Sequence, residues 1–173
     1  MQKNYEWLLQ EPGPKIILEW IKIYGTKEIA GRKHNPTIIG WATEVEVTNY
    51  KADEVPWCGL AMAVVAQRAG KQIPDRVLWA LNWTKFGTRV PEAALGDTLV
   101  FIREGGGHVG TYVGEDSSAY HVFGGNQGDR VSIARIVKSR LVAIRRPVYS
   151  IAQPPNVRKI ILSDDGEISN NEK

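Results

Sequence analysis

Residues 97–146 read DTLVFIREGGGHVGTYVGEDSSAYHVFGGNQGDRVSIARIVKSRLVAIRR. β-Branched and aromatic residues alternate with small or polar ones, and turn formers cluster at 105–107, 116–118, 124–129 and 138–140. That punctuation predicts five short strands over 97–103, 108–115, 119–124, 130–137 and 141–146. Upstream the period changes. A helix is expected over 14–24, stopped by Gly25. A second follows the Asn35–Pro36 cap over 37–46, and a third runs through the apolar CGLAMAVVAQRA to Gly70. Residues 76–86, rich in Trp and Leu, read as a further helix or helical turn before Gly87. Helices first and consecutive short strands afterwards define an α+β fold, with N-terminal helices packed on a five- or six-stranded antiparallel sheet.

The chain has 173 residues, 43% of them hydrophobic and 24% charged, which is one ordinary globular domain and excludes a wholly disordered chain. The domain is expected over 1–150. Residues 151–173, which open with Pro154–Pro155 and close with SDDGEISNNEK, read as a polar, flexible tail. A net charge of +3 permits a polyanionic partner without demanding one, and no nucleic-acid partner is expected. Lys138, Arg140, Arg145 and Arg146 read as a solvated strand face, the alternative being that they meet phosphate or a carboxylate. A single cysteine, Cys58, excludes an intramolecular disulfide and a Cys-rich zinc site. Phosphate-loop and dinucleotide fingerprints are lacking, and three scattered histidines with one cysteine fit no zinc-ligand spacing, so neither metal nor cofactor is expected. Residues 16–24 are apolar but short and carry Glu19 and Lys22, so stable membrane insertion is not expected. No secretory leader is legible. A cytoplasmic product is expected, with release to the periplasm or wall by lysis or dedicated secretion.

The reactive side chains are few. Cys58 follows Pro56–Trp57 at the start of an apolar helix, where the helix dipole favours a thiolate and a lowered thiol pKa; the alternative is one more small core residue. His108 follows three glycines and opens a strand, either as a base with room around it or as an idle edge histidine. A hairpin of the second and third strands with a tight 116–118 turn pairs residues whose numbers sum to 234. Glu115 then faces Ala119, Tyr112 faces Val122, and His108 faces Asn126. In that register, which one bulge would break, the Asn126 carbonyl oxygen orients the imidazole, completing a Cys–His–Asn set; the alternative is that Gly124–Gly128 is a plain turn. His121 falls on the opposite face and reads as structural, and His34 as a loop residue. Trp20, Trp41 and Trp79 read as core, while Trp57 and Trp83 are candidates for lining a substrate cleft.

The segments DEVPWCGLAMAVVAQRAG, LNWTKFG, VPEAALGDTLVFIREGGGHVGTYVGE, HVFGGNQGDRVSIARI and LVAIRRP, in this order, resemble the NlpC- and CHAP-type cysteine peptidases and amidases. Within them the chain looks most like a phage- and bacteria-associated subgroup with PWC, GHVG and GGNQ signatures. The resemblance spans roughly residues 27–147 and implies a papain-like fold, with Cys58 as nucleophile, His108 as base and Asn126 as the polar third residue. Many relatives carry His or Glu in the third place, which leaves His121 as the lesser candidate. The implied activity is hydrolysis of a peptidoglycan amide bond, in the stem peptide or at the sugar–peptide junction. The implied partner is a stem peptide or glycopeptide. The competing readings are a non-catalytic glycan- or peptide-binding module, and a Cys-dependent effector acting on a protein.

Overall fold

In the computed structural model, which describes residues 1–31, 33–164 and 166–169, the chain places three α-helices ahead of a sheet. The helices are α1 (Lys15–Ile23), α2 (Pro36–Glu44) and α3 (Cys58–Arg68). The strands are β1 (Thr88–Arg89), β2 (Thr98–Arg103), β3 (Gly106–Glu115), β4 (Ala119–Gly124), β5 (Ser132–Val137) and β6 (Leu141–Arg146). They form one six-stranded sheet in the order β1-β6-β2-β3-β4-β5, every pair antiparallel. The α+β arrangement of N-terminal helices on an antiparallel sheet thus agrees with the strand and helix periods.

The helix α3 forms the centre of the packing. All nine residues from Cys58 to Ala66 are buried, which requires an apolar run of small and medium side chains rather than an amphipathic stripe. The helix lies so close to the 77–78 backbone that a Cβ on Gly59 would sit 2.1 Å from the Val77 carbonyl oxygen. In α1, the Trp20 indole donates to Thr111 of β3 at 2.7 Å and stacks on Phe123 of β4, clamping this helix to two strands. In α2, the Asn35 side chain accepts from the Thr37 N–H and Pro36 occupies the first turn, as the Asn–Pro pair predicts.

Three departures have local causes. Residues 76–86 do not form a continuous helix. Arg76 takes a left-handed φ of 51° and Trp79 is extended, so only a 3-10 segment over Ala80–Lys85 follows. Trp79 is consequently 55% exposed rather than core. The two-residue β1, too short for any periodic signal, adds to the edge of β6 just after Gly87, where a Cβ would lie 2.1 Å from the Arg146 carbonyl oxygen. The basic stretch is only partly a solvated face. Arg146 pairs with the buried carboxylate of Asp97 at 2.8 Å, and Arg145 donates to the carbonyls of Phe86 and Gly87.

The residues after 150 include a segment bonded into the fold. The Leu95 N–H donates to the Arg158 carbonyl, Glu115 N–H to Ile160, and Leu162 N–H to Glu115, each at 2.9 Å. Further on, the Ser169 N–H reaches the Arg135 carbonyl at 2.8 Å. Polar composition alone misses this contact because it rests on backbone groups and on Gly114, where a Cβ would stand 2.4 Å from Leu162. The last residues of the expected flexible tail, 170–173, lie outside the described residues.

Candidate active site

The site forms where β3 and β4 part beside the first turn of α3. The 234 register holds for Thr111 with Phe123 and Tyr112 with Val122, and the ladder then breaks in both directions. Toward the turn, a one-residue bulge at Val113 shifts Glu115 onto Tyr120 instead of Ala119. Toward the site, the chain leaves β4 at Gly124 and Asn126 takes a left-handed φ of 58°. That reversal ends the alternation on which an Asn126–His108 pairing depends. The residue that meets the ring is the next one: His108 Nε2 lies 3.0 Å from Gln127 Oε1.

The Gln127 amide is oriented without ambiguity. Its Nε2 donates to the carbonyls of Val122 at 3.1 Å and Ser132 at 2.7 Å, which uses both amide hydrogens. Its oxygen therefore faces the imidazole, and His108 must be the donor. In the neutral ring the proton is therefore on Nε2 and the lone pair on Nδ1. The backbone holds the same residue at both ends: its N–H donates to the Arg130 carbonyl, and its carbonyl accepts from the Ser132 hydroxyl, each at 3.0 Å. The contact also depends on Gly124, because a Cβ there would lie 2.8 Å from Gln127 Oε1 and 3.2 Å from His108 Nε2.

Cys58 opens α3 and is 2% exposed. The backbone N–H of Val109, the residue after His108, is directed at its sulfur, as is that of Gly59. Burial pushes the thiol pKa up. Those two N–H groups, the N–H of Cys58 itself and the positive charge of Arg103 oppose the rise without cancelling it. The resting thiol is therefore protonated, contrary to the lowered pKa expected from its place at a helix start. Desolvation outweighs the helix terminus here.

Trp57 and Trp83 do not line an open cleft; both are 0% exposed. The Trp57 indole donates to Glu28 at 3.2 Å and packs under Gly125, where a Cβ would approach its ring to 2.9 Å. The Trp83 indole donates to the Val77 carbonyl at 3.0 Å. The other two histidines belong to separate networks. His34 pairs with Asp53 at 2.9 Å. The same buried carboxylate accepts the N–H groups of Ile29 and Asn35, tying these residues and His34 to one point. Burial pushes Asp53 up, but these donors hold it below the ordinary carboxylate range. His121 Nε2 lies 2.8 Å from Asp116 and its Nδ1 lies 2.7 Å from the Tyr5 hydroxyl.

Gln127 is the functional candidate that the sequence reading passed over. The available signal was GGNQ itself, two adjacent amides after a double glycine, where a left-handed residue moves the role one position along. Among the described residues no cluster of His, Cys, Asp or Glu could hold a metal ion, and no helix is long and apolar enough to cross a membrane. No family model, curated protein or solved structure matches the chain.

Proposed function

We propose that the chain is a thiol hydrolase of the papain-like NlpC/CHAP kind, cleaving an amide bond in or next to the peptidoglycan stem peptide. It acts as an endopeptidase or as an N-acetylmuramoyl-L-alanine amidase. The observation that carries the chemistry is the locked Gln127 amide, which leaves His108 with a basic Nδ1. The wall substrate rests on the ordered PWC, GHVG and GGNQ segments and their resemblance to cell-wall hydrolases.

In this mechanism the Cys58 thiol passes its proton to His108 Nδ1 as the sulfur attacks the amide carbonyl carbon. The backbone N–H of Cys58, unpaired within the first turn of α3, receives the oxyanion of the tetrahedral intermediate. The imidazolium protonates the leaving nitrogen, the C–N bond breaks, and a thioester remains. Water, deprotonated by His108, attacks the thioester carbon. The sulfur departs with its proton restored, releasing a carboxylic acid. Gln127 holds the ring through both stages as a positioning residue. The buried resting thiol requires the substrate to displace side chains above Cys58, so ionisation accompanies binding.

The test is digestion of purified wall by wild type and by Cys58→Ala, with products identified by mass spectrometry. New amine and carboxylate termini with wild type alone are expected. Full activity in Cys58→Ala overturns the mechanism. The near-complete burial of Cys58 and His108 favours one other reading, a binding module of the same fold. Wall sedimentation of wild type with no soluble product is the outcome that selects it.

A further inference from the structure

Arg103 ends β2 opposite Gly106, at the tip of the hairpin that carries His108. Its Nε donates to the carbonyl of Gly107, the residue before His108, at 3.3 Å, and its Nη1 donates to the Glu104 carbonyl at 3.1 Å. The guanidinium is thus held on the backbone that leads into the base, half-buried. Its charge also acts on the Cys58 sulfur. Other arginines of the fold meet carboxylates: Arg68 pairs with Glu44, Arg135 with Asp116, Arg146 with Asp97 and Arg158 with Glu11. Among the described residues no carboxylate lies within ion-pair range of Arg103. Its two bonds go to neutral carbonyls and use two of five donors.

A positioned, partly desolvated cation held on the backbone that leads into the base matches a planar anion on the substrate better than a neutral group. A densely charged polyanion is disfavoured by the exposed Glu104 next to it. A free carboxylate flanking an amide is such a planar anion, and its carboxamide is the neutral isostere. We infer that Arg103 is a specificity residue that receives a free carboxylate flanking the scissile amide, an inference that rests on the hydrolase reading above. The chain then cleaves stem peptides bearing the acid faster than the same peptides amidated at that position.

Matched pairs of synthetic stem peptides, acid and carboxamide on either side of the cleaved bond, test this. The readout is the kcat/KM ratio of acid to amide for wild type, Arg103→Gln and Arg103→Lys. A wild-type preference of roughly tenfold or more is expected. It collapses toward unity in Arg103→Gln, mainly through KM, and survives in part in Arg103→Lys. Loss of thiol activation alone lowers both rates and leaves the ratio intact. A wild type without preference, or an Arg103→Gln variant that keeps the full ratio, overturns the inference while the hydrolase reading stands. Failure of wild type to cleave any peptide or wall overturns the hydrolase reading, and this inference with it. A further check is binding of the acid peptide to Cys58→Ala and to the Cys58→Ala/Arg103→Gln double variant. It is expected to weaken in the double variant, and equal binding counts against the role of Arg103.

Discussion

His108 donates its Nε2 hydrogen to Gln127 Oε1 across 3.0 Å, and the two residues are brought together by a left-handed turn at Asn126. Removing the acceptor leaves a buried ring N–H unsatisfied and lets the imidazole turn. Gln127→Ala is expected to lower kcat by about 10- to 100-fold, the cost of one such bond. Asn126→Gly suits the positive φ and keeps the turn, so it retains more activity than Gln127→Ala. The opposite order would return the orienting role to Asn126.

Gly124 provides a second, steric route to the same contact. A methyl group there lies 2.8 Å from the Gln127 oxygen, and something must shift. Gly124→Ala is expected to reduce turnover substantially while near-UV circular dichroism stays close to wild type. If turnover is unchanged, the hydrogen bond does not position the base.

The Cys58 thiol has a measurable pH signature. Burial raises its pKa, so alkylation of the folded chain should be slow at neutral pH, with an inflection above the free-cysteine value of about 8.5. The linked stability effect has a definite sign. Between the unfolded and folded pKa values the native state holds more protons than the unfolded one, so stability declines as pH rises above about 8.5. Cys58→Ala should remove that decline from urea titrations. An alkylation inflection below 7 would show a pre-formed thiolate instead.

The Tyr5–His121–Asp116–Arg135 network makes the fold acid-sensitive. Burial pushes Asp116 up, but Arg135, His121 and the N–H groups of Ser118 and Ala119 bring it far below the usual range. Burial lowers His121, and the Asp116 bond only partly restores it. Both folded values lie below the unfolded ones. Stability is therefore complete above about pH 6.5, falls first as His121 is forced to charge, and falls again below about 4 as Asp116 binds protons. Burial also pushes the Tyr5 hydroxyl up to about 12, so it keeps its proton and donates to His121 Nδ1 while the ring is neutral; once the ring is charged Nδ1 becomes the donor. His121→Phe should flatten the first fall, and Asp116→Asn should destabilise by about 3–5 kcal/mol in chemical denaturation at pH 7. An unchanged midpoint in Asp116→Asn would mean that Arg135 finds another partner.

The strands were legible because period-two alternation and glycine punctuation are local signals, and β4 falls on the expected 119–124. α3 was legible for the same reason, through its unbroken apolar run. What escaped depended on torsion angles. The positive φ of Arg76 broke one expected helix, and that of Asn126 moved a role to Gln127. Cys58 and His108 stood out by scarcity. The thiol pKa did not, because desolvation depends on what packs over the sulfur, and that is a property of the finished core.

The residues at the site come from two separate stretches of the chain. His108 and Gln127 are 19 positions apart within one run of neighbouring strands, whereas Cys58 arrives on a helix that precedes that run entirely. A ribosome-bound chain that has emerged only through α3 exposes a sulfur with no base. The strand run alone has an oriented imidazole with nothing to deprotonate. The proposed hydrolysis is thus confined to the completed molecule, and an unfinished or unravelled copy offers only an ordinary exposed thiol, open to alkylation that the folded core excludes.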